Sequence, residues 1–386
     1  MIRPGLIAAA LLAPSLLAAQ AAPRRWDLVR ELRIGSVDDP DYDLSAVKGL
    51  VVGPGGQIYV GQRHEIRLYD PRGKFVRAIG RRGSGPGEFQ QVGGIGWRGD
   101  TLWATDDPAY RINLFSPRGD ALRALRIDAP LLPGASRPTR PAGMLSDGSV
   151  VGRPYPSRER LEGADDVLVP FVQMTRTGRP VRSFGLVSVA GEYGTMRGSR
   201  SALSFSLPVQ THSLWDLAAD GSSLVVVDRP AAGRPDATYF RVVRHGAAGR
   251  VVFDRRFPYR PRPFPAAVKD SLREKMVGIL LESGFARARG RAEALVDDSV
   301  RIPPFQPPVS HVAAGRDGTT WLRREDAGGG TVKWLVLDAA GSPLAEVGAP
   351  AGLTLLEARR DLVWGVEHDE LDVPYVVRYR VRGGPR

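Results

Sequence analysis

The feature that most constrains this fold is a turn-and-strand segment that recurs at a fixed spacing. Asp70-Pro71-Arg72-Gly73 with the following Lys74–Ile79 aligns position by position with Ser116-Pro117-Arg118-Gly119 and Asp120–Leu125, 46 residues further on. Weaker copies begin at Thr177-Gly178, Gly246–Gly249 and Ala340-Gly341. Each reads as a hairpin turn leading into a strand. A second register lies between these copies: Gly55-Gly56, Gly99-Asp100, Asp147-Gly148, Asp220-Gly221 and Asp317-Gly318, each followed by a short apolar strand. Asp-Gly and Gly-Gly suit that place because a two-residue hairpin turn needs positive φ. Arg359-Arg360-Asp361 is a sixth copy that lacks the glycine.

Repeats of this length are units that bury their apolar faces only by stacking on neighbours. Two turn registers per unit imply about four strands each. The fold expected from sequence is therefore an all-β, six-bladed β-propeller, with blades near 44–80, 90–127, 140–187, 213–258, 309–348 and 352–382. The last unit has room for three strands only. The orphan strand Trp26–Ile34 is expected to supply its outer edge and close the ring, hiding an edge that would otherwise be open to aggregation. One stretch breaks the β grammar. Val268, Leu272, Met276, Ile279 and Leu280 fall at helical spacing within Ala266–Leu281. A second short helix is expected over Ala286–Val296, which gives a helical insertion about 266–296 between blades 4 and 5. Further excursions lie at 153–167 and 188–211.

The first two units are joined by a glycine-rich crossing, Gly80-Arg81-Arg82-Gly83-Ser84-Gly85-Pro86-Gly87-Glu88-Phe89. Together with Leu102-Trp103-Ala104-Thr105-Asp106 and Arg111-Ile112-Asn113-Leu114-Phe115, it resembles an NHL-type propeller repeat. The chain as a whole is similar to the secreted bacterial six-bladed β-propeller proteins, well over 44–127 and only at the level of turns beyond. The resemblance implies a structural role for the crossing and for the pair Asp106 and Arg111. It also implies a range of activities, since such propellers serve as binding modules, sensor ectodomains and, in one case, a zinc-dependent amidating lyase. Fold alone does not choose among them.

Bulk composition narrows the rest. The chain of 386 residues is 42% hydrophobic and 25% charged, ordinary for a globular protein. It has no cysteine, which excludes disulfides, thiol catalysis and thiolate metal sites. The formal charge is +12, and all but five of the 54 basic residues are arginine, spread evenly along the chain. That spread reads as a compositional arginine excess. No dense basic arm for nucleic acid is present. Residues 1–22 read as a signal peptide: Arg3, an apolar run Leu6–Leu17, and Ala19-Gln20-Ala21 as a small-x-small cleavage site. The run is shorter than a bilayer span, and no later one is longer. The expectation is a secreted or periplasmic monomer of residues 23–386.

Chemistry-bearing residues are sparse. There is no Gly-x-Ser-x-Gly and no His-Glu-x-x-His. Gly83–Gly87 lacks the Gly-Lys-Ser/Thr ending of a phosphate loop. In a propeller, blade-to-blade crossings share one face with the turns between second and third strands. His64 and His368 fall in such turns, and His212 and His311 at the starts of blades 4 and 5. His245 belongs to the opposite face. Arg63, Arg81, Arg82, Arg153, Arg158, Arg197, Arg200, Arg323 and Arg324 share the crossing face, with Arg287, Arg289 and Arg291 in the insertion. Arginine forks suit carboxylate or phosphate ligands.

The leading expectation is an exported, non-enzymatic module that uses His64, Arg63, His212, His311, Arg323 and His368 to bind a peptide, glycan or protein partner. No catalytic residue and no cofactor are assigned. The alternative is a metal-dependent lyase or hydrolase, with zinc or calcium, built on His212 and His311 near the central channel. A third histidine at the matching position is missing. Acidic clusters at Asp38–Asp43, Asp165-Asp166 and Asp297-Asp298 read as solvated loops rather than calcium sites, since none has EF-hand spacing.

Overall fold

In the computed structural model, residues 23–157, 167–189, 193–197, 202–207, 209–229, 238–300, 302–324 and 331–384 are described. The stretch 1–22 that reads as a signal peptide in sequence, Arg158, Asp165, Asp166 and Arg200 lie outside them, as does the side chain of Arg197. The chain enters with β1 (Arg24–Ile34). The first sheet then runs β2 (Gly49–Val52), β3 (Ile58–Gly61), β4 (Ile66–Tyr69) and β5 (Phe75–Ile79). The second runs β6 (Val92–Arg98), β7 (Thr101–Asp106), β8 (Arg111–Phe115) and β9 (Ala121–Arg126). The third holds β10 (Ala135–Met144), β11 (Val150–Pro156), β12 (Leu168–Met174) and β13 (Pro180–Ser188).

A separate hairpin follows, β14 (Tyr193–Arg197) with β15 (Ala202–Ser206). The fourth sheet has β16 (Leu214–Leu217), β17 (Ser223–Asp228), β18 (Tyr239–Gly246) and β19 (Val251–Pro258). Two helices come next, α1 (Ala266–Glu282) and α2 (Arg289–Ser299). The chain ends with β20 (His311–Ala314), β21 (Thr320–Arg324), β22 (Thr331–Leu337), β23 (Pro343–Pro350), β24 (Thr354–Ala358), β25 (Leu362–His368) and β26 (Pro374–Arg382).

The arrangement is all-β and propeller-like, and it corrects the six-bladed expectation. Four separate four-stranded blades are present and, apart from the β14-β15 hairpin, the remaining strands form one nearly closed sheet of eight, in the order β20-β21-β22-β23-β1-β26-β25-β24. The cause is β1. Asp27–Ile34 pair antiparallel with β26, but the strand is longer than that pairing needs. Its first residues Arg24, Arg25 and Trp26 pair parallel with Ala345, Glu346 and Val347 of β23. A strand hydrogen-bonded on both edges merges its neighbours into one sheet. Trp26 is fully buried at the junction, with its ring 6.1 Å from that of Trp321.

Successive sheets pack face to face, and the first strands β2, β6, β10, β16, β20 and β24 lie innermost. The valine-rich β17 shows why the sequence supports this. Leu224 and Val226 enter the core shared with the third sheet, while Val225 and Val227 enter the core shared with β20–β22. Side chains alternate along a strand, so a run buried on both faces reads as continuous apolar sequence. The turn glycines are equally decisive. Gly119 has φ 89°, and a Cβ there would stand 2.4 Å from Ile79 Cγ1.

The inner strands are tied across sheets by carboxylates, the half-buried Asp216 and the buried Glu357. Asp216 Oδ2 accepts from Ala314 N at 2.7 Å, joining β16 to β20. Glu357 Oε2 accepts from Val52 N at 2.8 Å, joining β24 to β2. The helices α1 and α2 carry a core of their own: Met276, Val277 and Leu280 against Ala292, Leu295 and Val296. Their stem is closed by Phe264 N donating to Pro304 O and Gln306 N donating to Arg262 O.

Candidate functional site

The best-formed crossing shows how this fold secures its connections. Asp106 ends β7 with no solvent exposure. Its carboxylate accepts from Gln90 N and Gln91 N and from Arg111 Nε at 3.1 Å. Arg111 then reaches the glycine-rich crossing, donating to Ser84 O at 2.6 Å and Glu88 O at 2.7 Å. Buried charge here is paired and fully hydrogen-bonded, which makes this a structural clamp.

The fourth sheet secures its crossing differently. Arg229 directly follows β17 and is 5% exposed. Nε donates to His212 O at 2.9 Å, Nη2 donates to the same oxygen, and Nη1 donates to Val309 O at 2.7 Å. The guanidinium thus joins the crossing into β16 to the lead into β20. No carboxylate among the described residues contacts it. Burial pushes its pKa down to about 9, with no acidic neighbour opposing the shift. Asp228 beside it is turned to Ser213 Oγ at 3.0 Å, and its carboxylate lies 3.7 Å from Arg241.

Arg229 forms one wall of a cavity of about 540 Å³. The crossing contributes Leu207, Val209, Gln210 and Leu214, the insertion stem and α1 contribute Phe264 and Val268, and the lead into β20 contributes Gln306, Pro307 and Ser310. The lining is mainly apolar, with two amides and one buried cation. That composition and size are those of a small-molecule or side-chain pocket. Tyr259 Oη donates to Gln306 O at 2.6 Å, which fixes the stem at the cavity edge.

The residues singled out from sequence do not converge on one point. Arg63 and His368 are exposed, and His64 is half-buried. His311 Nε2 donates to Leu355 O at 2.7 Å, and its ring stands edge-on to Trp334. Arg323 donates to Ala351 O at 3.1 Å. His212 comes closest to the cavity, through the carbonyl that holds Arg229. Burial, followed by the positive charges of Arg229 and Arg153, lowers its imidazole pKa to about 3. It is neutral at ordinary pH. Among the described residues, no three histidine or acidic side chains gather as a metal site would require. His245 is buried against Phe184. Asp39 and Asp43 cap local turns through Asp41 N and Ser45 N. In the insertion, Arg289 is held by Glu274 and Glu293, and Asp297 by Arg273.

Arg229 was not among the sequence candidates. Its signal is an arginine just beyond the acid that ends the apolar run Leu224–Val227, and the general excess of arginine hides it.

No protein-family model and no curated protein matches the chain. Solved structures do resemble it. A member of the DUF4221 family from Bacteroides vulgatus is 12% identical, with 94% of this chain and 99% of that one covered and a TM-score of 0.49. A putative exported protein from Bacteroides fragilis is 12% identical over 92% and 95%, with a TM-score of 0.47. Virginiamycin B lyase from Staphylococcus aureus is 12% identical over 92% and 99%, with a TM-score of 0.42. At this identity they are likenesses of overall form and say nothing about ligand or reaction.

Proposed function

We propose that this chain is an exported, non-enzymatic binding module whose ligand enters on the crossing-loop face, through the cavity beside the fourth sheet. The observation that carries the reading is the meeting of three separate segments around one mainly apolar cavity with a buried cation in its wall. Those segments are the crossing into β16, the stem of the helical insertion and the lead into β20. Crossing loops on a rigid sheet scaffold are where binding residues concentrate. The insertion fits the role of a flank to the cavity mouth, since α1 and α2 pack mainly on each other and contribute little to the sheets. A peptide or protein segment suits the lining better than a glycan. Aliphatic side chains dominate, and Phe264 is the single aromatic ring available for stacking.

The reading is tested by thermal-shift screening of short apolar peptides and oligosaccharides against the wild type and Leu214→Trp, which fills the cavity. Peptides that raise the wild-type midpoint but not that of the variant support it. Ligands that stabilise both proteins equally bind elsewhere and refute it.

A further inference from the structure

We propose that the cavity beside the fourth sheet receives a carboxylate carried on an apolar body, with Arg229 as its counter-ion; this rests on the binding-module reading and specifies its ligand. The argument begins with the donors of Arg229. A guanidinium has five N–H groups. Three are used, two on His212 O and one on Val309 O, which leaves two without a partner among the described residues. Both accepting groups are neutral carbonyls, so among the described residues the hydrogen bonds are made with no carboxylate balancing the charge. An isolated buried cation is among the most costly groups a fold can hold, and such charges are normally paired. Arg111 sits against Asp106, and the buried Arg244, though its hydrogen bonds also go to neutral oxygens, has the charges of Asp317, Asp220 and Asp216 acting on it.

A second feature points to the same anion. Phe264 and Val268 both line the cavity, so the N-terminus of α1 opens beside it. Pro265 at the cap position offers no side-chain hydrogen bond, and the first turn contains no acidic residue. A helix start carries partial positive charge and unsatisfied N–H groups, which an acidic or hydroxyl side chain usually meets. Here a 17-residue helix presents that end, uncapped, to a cavity that already holds an unbalanced guanidinium.

The remaining lining selects the body of the ligand. Leu207, Val209, Leu214, Val268 and Pro307 give it an apolar bed, while Gln210 and Gln306 can orient one polar group. A phosphate, with more charge and more hydration, is poorly suited to such walls. A carboxylate matches a two-donor guanidinium edge. The low Arg229 pKa that burial imposes would return toward its ordinary value with the carboxylate bound. The acid could end an acyl chain or a peptide, and both have the same recognising chemistry.

Isothermal titration calorimetry on the full mature chain separates these cases, with octanoate and octanamide as one pair of probes and N-acetyl-valyl-leucine and its amide as the other. The expected result is binding of at least one acid, with its amide weaker by about tenfold or more. The preferred acid identifies the source. Arg229→Met is expected to erase the acid preference. Val268→Asp is the second variant. Val268 is 41% exposed, so the substitution leaves folding intact, and an acid in the first turn suits the helix while repelling the ligand. It too is expected to lose octanoate. Equal binding of acid and amide, or undiminished acid binding by both variants, overturns the proposal. Binding of neutral peptides in the cavity with no binding of either acid also overturns it, yet leaves the binding-module reading standing.

Discussion

Arg111 and Arg229 both hold a sheet-to-sheet crossing by its carbonyl oxygens, but among the described residues Arg111 does so against a carboxylate and Arg229 does not. The two sites occupy comparable places. Asp106 ends β7 and pairs across to Arg111, and Asp228 ends β17 and pairs across to Arg241. In the second sheet, acid and base close on each other and on the crossing. In the fourth, Asp228 is taken up by Ser213, and Arg241 forms its shorter contact with Asp254, at 2.7 Å. The crossing carbonyl passes instead to Arg229, one residue beyond the acid. The same repeat has yielded a closed clamp in one sheet and an open cation in another. The open one lines the cavity beside the fourth sheet.

The largest effect expected from this contrast is on removing the acid of the closed clamp. Asp106→Ala leaves Arg111 buried without its counter-charge and orphans the amides of Gln90 and Gln91. A loss of about 3–5 kcal/mol is expected in urea unfolding. A loss under about 1 kcal/mol would make the two sites alike and break the comparison. Trp26→Ala probes the other unusual junction, where β1 fuses two groups of strands. Removal of this fully buried indole is expected to cost about 3–5 kcal/mol as well.

How far these regions were legible in sequence differs sharply. The turn registers placed the hairpins correctly, because glycine at positive φ leaves a mark that no other residue makes. Asp106 and Arg111 were readable because their spacing belongs to the best-preserved repeat. The fusion of the last strands was not, since it depends on Arg24, Arg25 and Trp26 pairing in parallel with β23, and the first two lie beyond the expected span Trp26–Ile34. Nothing in their pattern distinguishes that pairing from a free end. Arg229 was hidden by composition: in a chain so rich in arginine, one more basic residue has no contrast. Its meaning lies in what fails to surround it, and only coordinates reveal that. The histidines are conspicuous because they are rare, yet among the described residues they form no metal-type cluster.

Smaller effects sharpen the comparison. Arg229→Met exchanges two lost carbonyl contacts for relief of an unbalanced charge. Stability is therefore expected to change by no more than about 2 kcal/mol in either direction. A loss matching that of Asp106→Ala would show Arg229 to be as structural as Arg111. A pH dependence follows from Asp216, also on the fourth sheet. Burial raises its pKa to about 7, against the hydrogen bonds from Ala314 and Leu217 and the charge of Arg244, which favour the ionised form. The unfolded carboxyl titrates near about 3.9. Between those values the folded chain keeps a proton that the unfolded chain has released. Stability from this group therefore falls as pH rises from about 4 to about 7. Asp216→Asn is expected to flatten that part of the urea-midpoint profile, and an unchanged slope would place the titrating group elsewhere.

The most direct measurement of the central claim is the thermal midpoint of wild type and Arg229→Met, each with and without saturating octanoate. If Arg229 is a cation held in reserve for a carboxylate, octanoate raises the wild-type midpoint and leaves that of the variant where it was. Equal shifts in the two proteins, or none in the wild type, would contradict it.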